Sequence, residues 1–247
     1  MYTLKIDSLS AGYGSTPVLQ DFSMQFGRDS GNDRADAKGQ IVALVGRNGV
    51  GKSTLLKCIV GLVPPSSGQI LFRKRNITGQ KPSRNIRSGI GFVPQGSRLF
   101  PEMSVRENLE IVPDLQRNRE RQIEETLSVF PLFRDRLDQL AGTLSGGQQK
   151  VLAIARALLL DPQLLLIDEP LEGLDRYWTE QVCTLVRRLR DKGTSVLIVE
   201  HDLEIVVRLC DFIFVTHRGG IVYEGKPVVS ESYKNELLAK MGLGSQN

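Results

Sequence analysis

Apolar positions along the chain follow two patterns. Near the start, "YTLKIDSL" and "VLQDFSMQF" alternate apolar and polar residues, the period of strands with one buried face. "SAGYGSTP" between them reads as a turn-rich loop. Residues 27–39, polar and charged with three glycines, read as a long exposed turn joining two strands. Beyond it the pattern changes. "QIVALVG", "GIGFVPQ", "PQLLLIDEP" and "TSVLIVEH" are continuous apolar runs, as expected of parallel strands covered on both faces. The first runs through a glycine-rich turn into a helix, "KSTLLKCIVGL", which "PPSSG" ends. The amphipathic "RYWTEQVCTLVRRLRDKG" is a helix between the last two strands. Strands alternating with helices predict an α/β fold with a mostly parallel sheet and right-handed crossovers. From Ser97 to about Leu140 the texture is helical ("VRENLEIV", "RERQIEETLSVF"), which predicts an inserted helical subdomain.

Composition narrows the class without naming a function. At 40% hydrophobic and 24% charged, 247 residues are enough to bury a core. No apolar run approaches the roughly 18 residues of a membrane span. The longest, "VLAIARALLL", is interrupted by Arg156. "MYTLKIDSLS" lacks the basic start and apolar stretch of a secretory signal. Cys58, Cys183 and Cys210 have no metal-ligand spacing and read as reduced thiols of a cytosolic protein. The net charge of +4 is mild. The basic clusters "FRKRN" and "RNRERQ" read as solvated faces, and without interleaved aromatics they predict no nucleic-acid partner.

Three stretches carry chemistry. "GRNGVGKST" (Gly46, Arg47, Asn48, Gly49, Val50, Gly51, Lys52, Ser53, Thr54) matches G-x-x-x-x-G-K-[ST] between a buried strand and a helix. There the backbone can curl so that N–H groups face phosphate oxygens, and the helix N-terminus adds positive potential. Lys52 can reach the β- and γ-phosphates, Ser53 can ligate Mg²⁺, and Thr54 can bond a further phosphate oxygen. "LLLIDE" is an apolar strand ending in two acids. Asp168 suits a Mg²⁺ site, and Glu169 can polarise a water for attack on the γ-phosphate. "LSGGQQ", with Ser145, Gly146, Gly147 and Gln148, opens a long helical run and has a geometry suited to an anion. Taken singly, Tyr13 could merely cover a loop, His201 could cap the helix "DLEIVVRL", and Gln95 could be any loop glutamine.

Together, residues 46–54, Gln95, "LSGGQQ", "LLLIDEP", "GLD" and His201 resemble, in order and spacing, an ATP-binding cassette (ABC) ATPase across essentially the whole chain. The resemblance implies a single domain of the P-loop NTPase fold, with a mostly parallel core sheet, an N-terminal antiparallel β subdomain and an inserted α-helical subdomain. Residues 1–96 and 156–247 would form the core and its antiparallel part. Residues 97–155 would form the helical subdomain carrying the signature motif. ATP and Mg²⁺ are the implied ligands. Lys52, Ser53 and Asp168 would bind phosphate and metal, and Glu169 would be the catalytic carboxylate. Gln95 would touch the metal or attacking water, and His201 the γ-phosphate. Tyr13 would stack on adenine, with Val18 nearby. The surplus anion site at Ser145, Gly146, Gly147 and Gln148 would serve the ATP of a second cassette, the same or a paralogous one, packed head to tail, with Asp175 coupling the two sites.

A cassette alone implies separate integral membrane permease subunits and a peripheral location on the cytoplasmic face of the inner membrane. "FVPQGSRLFPEMSVRENL" and "FPLFRDRLDQLAGTLSGGQQKVLAIARAL" are most similar to cassettes for uptake of branched-chain amino acids and urea or amides. That implies an importer with a solute-binding protein. A lipid or solute exporter and a soluble non-transport ABC ATPase are the alternatives. Asp175, Leu171 and the 27–39 segment depart from the narrower pattern.

Overall fold

The computed structural model describes residues 2–27, 38–112 and 118–243. The exposed turn expected at 27–39 falls largely outside them. Ten strands and eight α-helices occur in the described residues, with two short 3-10 helices, Pro131–Arg136 and Ala141–Thr143. The strands and α-helices are β1 Leu4–Tyr13, β2 Thr16–Phe26, β3 Ile41–Val45, α1 Lys52–Val60, β4 Ser67–Phe72, β5 Arg75–Asn76, α2 Pro82–Arg87, β6 Ile90–Val93, α3 Val105–Glu110, α4 Arg119–Val129, α5 Gly146–Leu158, β7 Leu164–Asp168, α6 Arg176–Asp191, β8 Ser195–Glu200, α7 Leu203–Leu209, β9 Phe212–His217, β10 Gly220–Gly225 and α8 Glu231–Lys240. One sheet is antiparallel, in the order β2-β1-β4-β5. The other has the order β10-β9-β3-β8-β7-β6 and is parallel except for β10.

The continuous apolar runs have the cause expected of them. Along β3, Val42 and Leu44 face a core shared with α1 and the antiparallel sheet, where Leu4, Ile6 and Phe22 are buried. Ile41, Ala43 and Val45 face a second core closed by α5, α6 and α7. A strand covered on both faces has no position left for a polar residue until it reaches its end. Each such Leu, Ile or Val contributes about 1.5–3 kcal/mol by leaving water.

The first hairpin differs from its expected form. β1 and β2 continue through "SAGYGSTP", so that only Gly14 and Ser15 form the turn. Register shifts near Ser8, Leu9 and Ala11 break the period-two pattern. Ser8 and Asp21 take φ of 47° and 51° there. A bulge adds a residue to one strand and so hides a long strand from its own periodicity.

β4 and β5 are joined by Arg73 and Lys74, at φ 47° and 67°. Two-residue hairpin turns of this kind favour Asn-Gly, since left-handed backbone costs other residues about 1–2 kcal/mol each. Replacing Arg73→Asn and Lys74→Gly together should stabilise the chain by about 1 kcal/mol net, the exposed Arg73–Gln163 hydrogen bond being lost. A higher urea midpoint with unchanged slope is the expected result, and a lower midpoint would count against this turn geometry.

Candidate functional site

Strand order places the chemistry. β3, β8, β7 and β6 are neighbours and parallel, so the loops at their carboxyl ends lie along one edge of the sheet. Those loops carry residues 46–51, His201, Glu169 and Gln95.

The first loop turns directly into α1. Gly51 precedes the helix at φ 103°, and a Cβ there would lie 2.7 Å from Leu19 Cδ2. Only glycine takes this backbone without strain in so little space. Val18, half-buried on β2, packs beside the same glycine. Arg47, Asn48 and Gly49 are exposed, Val50 is half-buried and Gly46 is buried. The buried Lys52 Nζ donates to the carbonyls of Gly46 and Arg47, at 2.7 and 2.9 Å. Burial pushes its pKa down, and the charges of Glu169, Asp168 and Glu200 oppose that shift. Thr54 Oγ1 donates to Tyr13 Oη at 3.4 Å, which sets the exposed Tyr13 ring beside the start of α1.

Ser53 Oγ donates to Asp168 Oδ1 at 3.1 Å. Asp168 is 4% exposed, and burial raises its pKa while the Ser53 hydrogen bond opposes the rise. A hydroxyl and a carboxylate are oxygen donors of the kind a small hard cation takes. No cluster of three His, Cys, Asp or Glu occurs among the described residues. Mg²⁺ held by one or two protein oxygens, waters and substrate phosphates needs no such cluster, so the donor set fits. The raised pKa predicts that, as pH falls, Asp168 takes up its proton before an ordinary carboxylate does. Mg²⁺ dependence of nucleotide binding should weaken on acidification at a higher pH than in an Asp168→Asn control, and titrations that superimpose would contradict the assignment.

Glu169 follows Asp168 at φ 50°, and its N–H donates to the Val199 carbonyl. A non-glycine residue in this region is costly and tends to mark a functional position. The exposed Gln95 Nε2 donates to Glu169 Oε2 at 2.6 Å and to Glu172 Oε2 at 3.3 Å. Lys150, in the first turns of α5, donates to the carbonyls of Glu169 and Glu172. His201 is exposed beside Glu200, while Asp202 caps α7 by accepting from the N–H groups of Glu204 and Ile205. The helix cap is therefore the residue after His201.

Lys150, Glu172 and Glu200 stand in this network although none of them is expected at the site from the sequence. Two of them carry a signal in the sequence. Lys150 is a cation near a helix N-terminus, the unfavourable end for it. Glu200 is a charge closing a buried strand, as Asp168 is.

The signature residues bond locally, within the helices they open. Ser145 caps α5, its Oγ accepting from Gln148 N at 3.3 Å while Gln148 Oε1 accepts from Ser145 N at 3.0 Å. A Cβ on Gly147 would meet the Trp178 ring at 2.5 Å, whereas one on Gly146 would meet nothing within 4 Å. Asp175 caps α6 through Trp178 N at 2.9 Å. Among the described residues, the hydrogen bonds of Ser145, Gln148 and Asp175 run to α5 and α6 and none to residues 46–54.

Sequence comparison agrees with this geometry. The family pattern described as ABC transporter matches residues 36–172. The chain is 36% identical over 221 residues to the high-affinity branched-chain amino acid transport ATP-binding protein BraG of Pseudomonas aeruginosa, covering 89% of this chain and 91% of that protein. It is 33% identical over 247 residues to the lipopolysaccharide export system ATP-binding protein LptB of Acidithiobacillus ferridurans, covering 98% and 97%. A nucleotide-free ATP-binding cassette from an ABC transporter superposes with a TM-score of 0.83 at 27% identity, over 99% of this chain and all of the other. A dimeric cassette in a post-hydrolysis state, bound to ADP and Pi, superposes at 0.77 and 26% identity, over 92% of this chain and 100% of the other.

Proposed function

On the premise that this chain belongs to the ABC transporter family as an ATP-binding subunit, we propose that it hydrolyses ATP with Mg²⁺ to drive a membrane permease. The observation that carries the reading is the meeting of Lys52, Ser53, Asp168 and Glu169 at one sheet edge, with Gln95 hydrogen-bonded to Glu169.

The roles follow from position. Residues 46–51 and the N-terminus of α1 bind the phosphates, and Lys52 neutralises their charge. Tyr13 and Val18 flank the adenine. Ser53, Asp168 and Gln95 would hold Mg²⁺, which supplies charge neutralisation on the β- and γ-phosphate oxygens. Glu169 accepts the proton of the attacking water through the carboxylate oxygen that Gln95 leaves open. His201 contacts the terminal phosphate. Ser145, Gly146, Gly147 and Gln148 serve the nucleotide of a second cassette, and we take a copy of this chain as that partner. Gly146 supports this assignment, since among the described residues nothing lies within 4 Å of where its Cβ would be. Asp175 lies between the two sites in such a dimer.

Residues 97–155 form the unit that senses the permease. An open groove of about 330 Å³ between the Gln95 loop and α5 is lined by Pro94, Ser97, Phe100, Ile111, Ala153 and Arg156, with Phe100 and Ile111 exposed. It would take a cytoplasmic segment of the permease. Among the described residues no helix is long and apolar enough to cross a membrane. The chain would then sit peripherally on the cytoplasmic face.

The first reading for cargo is uptake of branched-chain amino acids, urea or short amides, with a solute-binding protein, following the similarity to BraG. Export is the second reading, favoured by the near full-length match to LptB. Deletion of this subunit distinguishes them. Loss of labelled leucine or urea uptake supports import, and intact uptake with an envelope-lipid defect supports export.

A further inference from the structure

β8 reads Ser195, Val196, Leu197, Ile198, Val199, Glu200, and all six residues are buried. Its last side chain is 2% exposed. Placing a carboxylate there costs several kcal/mol unless its oxygens are well partnered. Glu200 is partnered by backbone. Oε1 accepts from Leu171 N at 2.9 Å, and Oε2 accepts from His201 N at 3.3 Å. Neither partner is a cation. Leu171 belongs to the loop that runs from Glu169 to Asp175, and His201 opens the neighbouring loop. One carboxylate therefore joins two loops that meet nowhere else in the hydrogen-bond network of the described residues. Burial raises its pKa, and the two N–H groups and His201 oppose that shift.

We propose that Glu200 is a positioning residue, whose two carboxylate oxygens hold the Leu171 and His201 backbones at a fixed separation and so set Glu169 and His201 against the terminal phosphate of ATP. This rests on the ATPase reading above. An apolar residue would end the strand at lower cost, so the buried acid serves the spacing of the loops rather than the strand itself. Both loops carry groups that act on the same phosphate. An error of 1 Å between them lowers the rate without lowering affinity for ATP, which Lys52 and residues 46–51 supply.

The test uses the full chain with Glu200→Gln and Glu200→Met. Glutamine keeps the shape but offers one acceptor where two N–H groups need one each, and methionine offers none. Steady-state phosphate release, binding of a fluorescent ATP analogue, inhibition by orthovanadate and thermal melting are compared with wild type. The expected result is a kcat about tenfold lower for Gln and lower again for Met. ATP affinity should stay within about twofold, and vanadate inhibition should weaken by about the same factor as kcat falls. Wild-type kcat in Glu200→Gln would overturn the proposal while leaving the ATPase reading intact. So would a joint loss of ATP binding and melting temperature in both variants, which marks a purely structural role. Wild-type protein without ATPase activity would instead overturn the reading on which the proposal rests.

Discussion

Glu169→Gln protein should bind ATP normally and release phosphate at least about 10²-fold more slowly than wild type. The substitution keeps size and removes basicity. Residues 46–54 are untouched, and Lys52 keeps its two carbonyl contacts. Gln95 Nε2 donates to one Glu169 oxygen at 2.6 Å, which fixes the side chain and leaves the other oxygen for water. An amide in that place can orient the water and cannot accept its proton. General-base catalysis contributes about 10²–10⁴-fold, so the loss belongs in kcat, with KM nearly unchanged. Steady-state phosphate release with saturating ATP and Mg²⁺ measures it. Turnover within about tenfold of wild type would remove Glu169 from the catalytic role.

Ser145→Arg has the second large effect, and it acts between chains. Ser145 is exposed at the head of α5, and its contacts stay within that helix. Arginine removes the cap, at about 0.5–2 kcal/mol, and adds a long cation where a partner's ATP would meet the loop. Monomer nucleotide affinity should stay within about twofold while ATP-dependent pairing and hydrolysis fall to background. Ser145→Ala loses the cap alone and separates the two effects. The neighbouring glycines sharpen the contrast. Alanine at Gly147 collides with the Trp178 ring and should destabilise the chain by itself. Alanine at Gly146 projects into open space and should leave folding intact. A fall in hydrolysis with unchanged melting in Gly146→Ala then points outside the chain. Trp178 is the sole tryptophan, so its fluorescence reports directly on the packing at Gly147.

Much of this was legible in the sequence because the parallel strands have two dry faces. The runs at 41–45, 164–167 and 196–199 are apolar throughout, so the residues that follow them mark the edge of the sheet where the candidate site lies. Asp168 and Glu200 end two such runs in the same manner, yet only the first belongs to a motif. The elements hard to read were those set by tertiary partners. Bulges at Ser8 and Asp21 disguise one long hairpin. Arg73 and Lys74 make a tight turn with residues that ordinarily avoid it. Lys150 gains its place only once α5 lies against the Glu169–Glu172 backbone, a contact between residues 19 and 22 positions apart. "LSGGQQ" reads in the sequence as a surplus anion site, a reading that says nothing about distance. The fold adds that a side chain at Gly147 would strike Trp178, whereas one at Gly146 would meet nothing among the described residues.

The most direct test is the mass of Glu169→Gln protein in solution, measured by light scattering with and without ATP and Mg²⁺. One chain is 27.4 kDa. The expected result is that mass without nucleotide and a twofold higher mass with ATP, reversed by Ser145→Arg. A mass that stays at 27.4 kDa while each chain holds ATP would contradict the claim that a second copy completes the site.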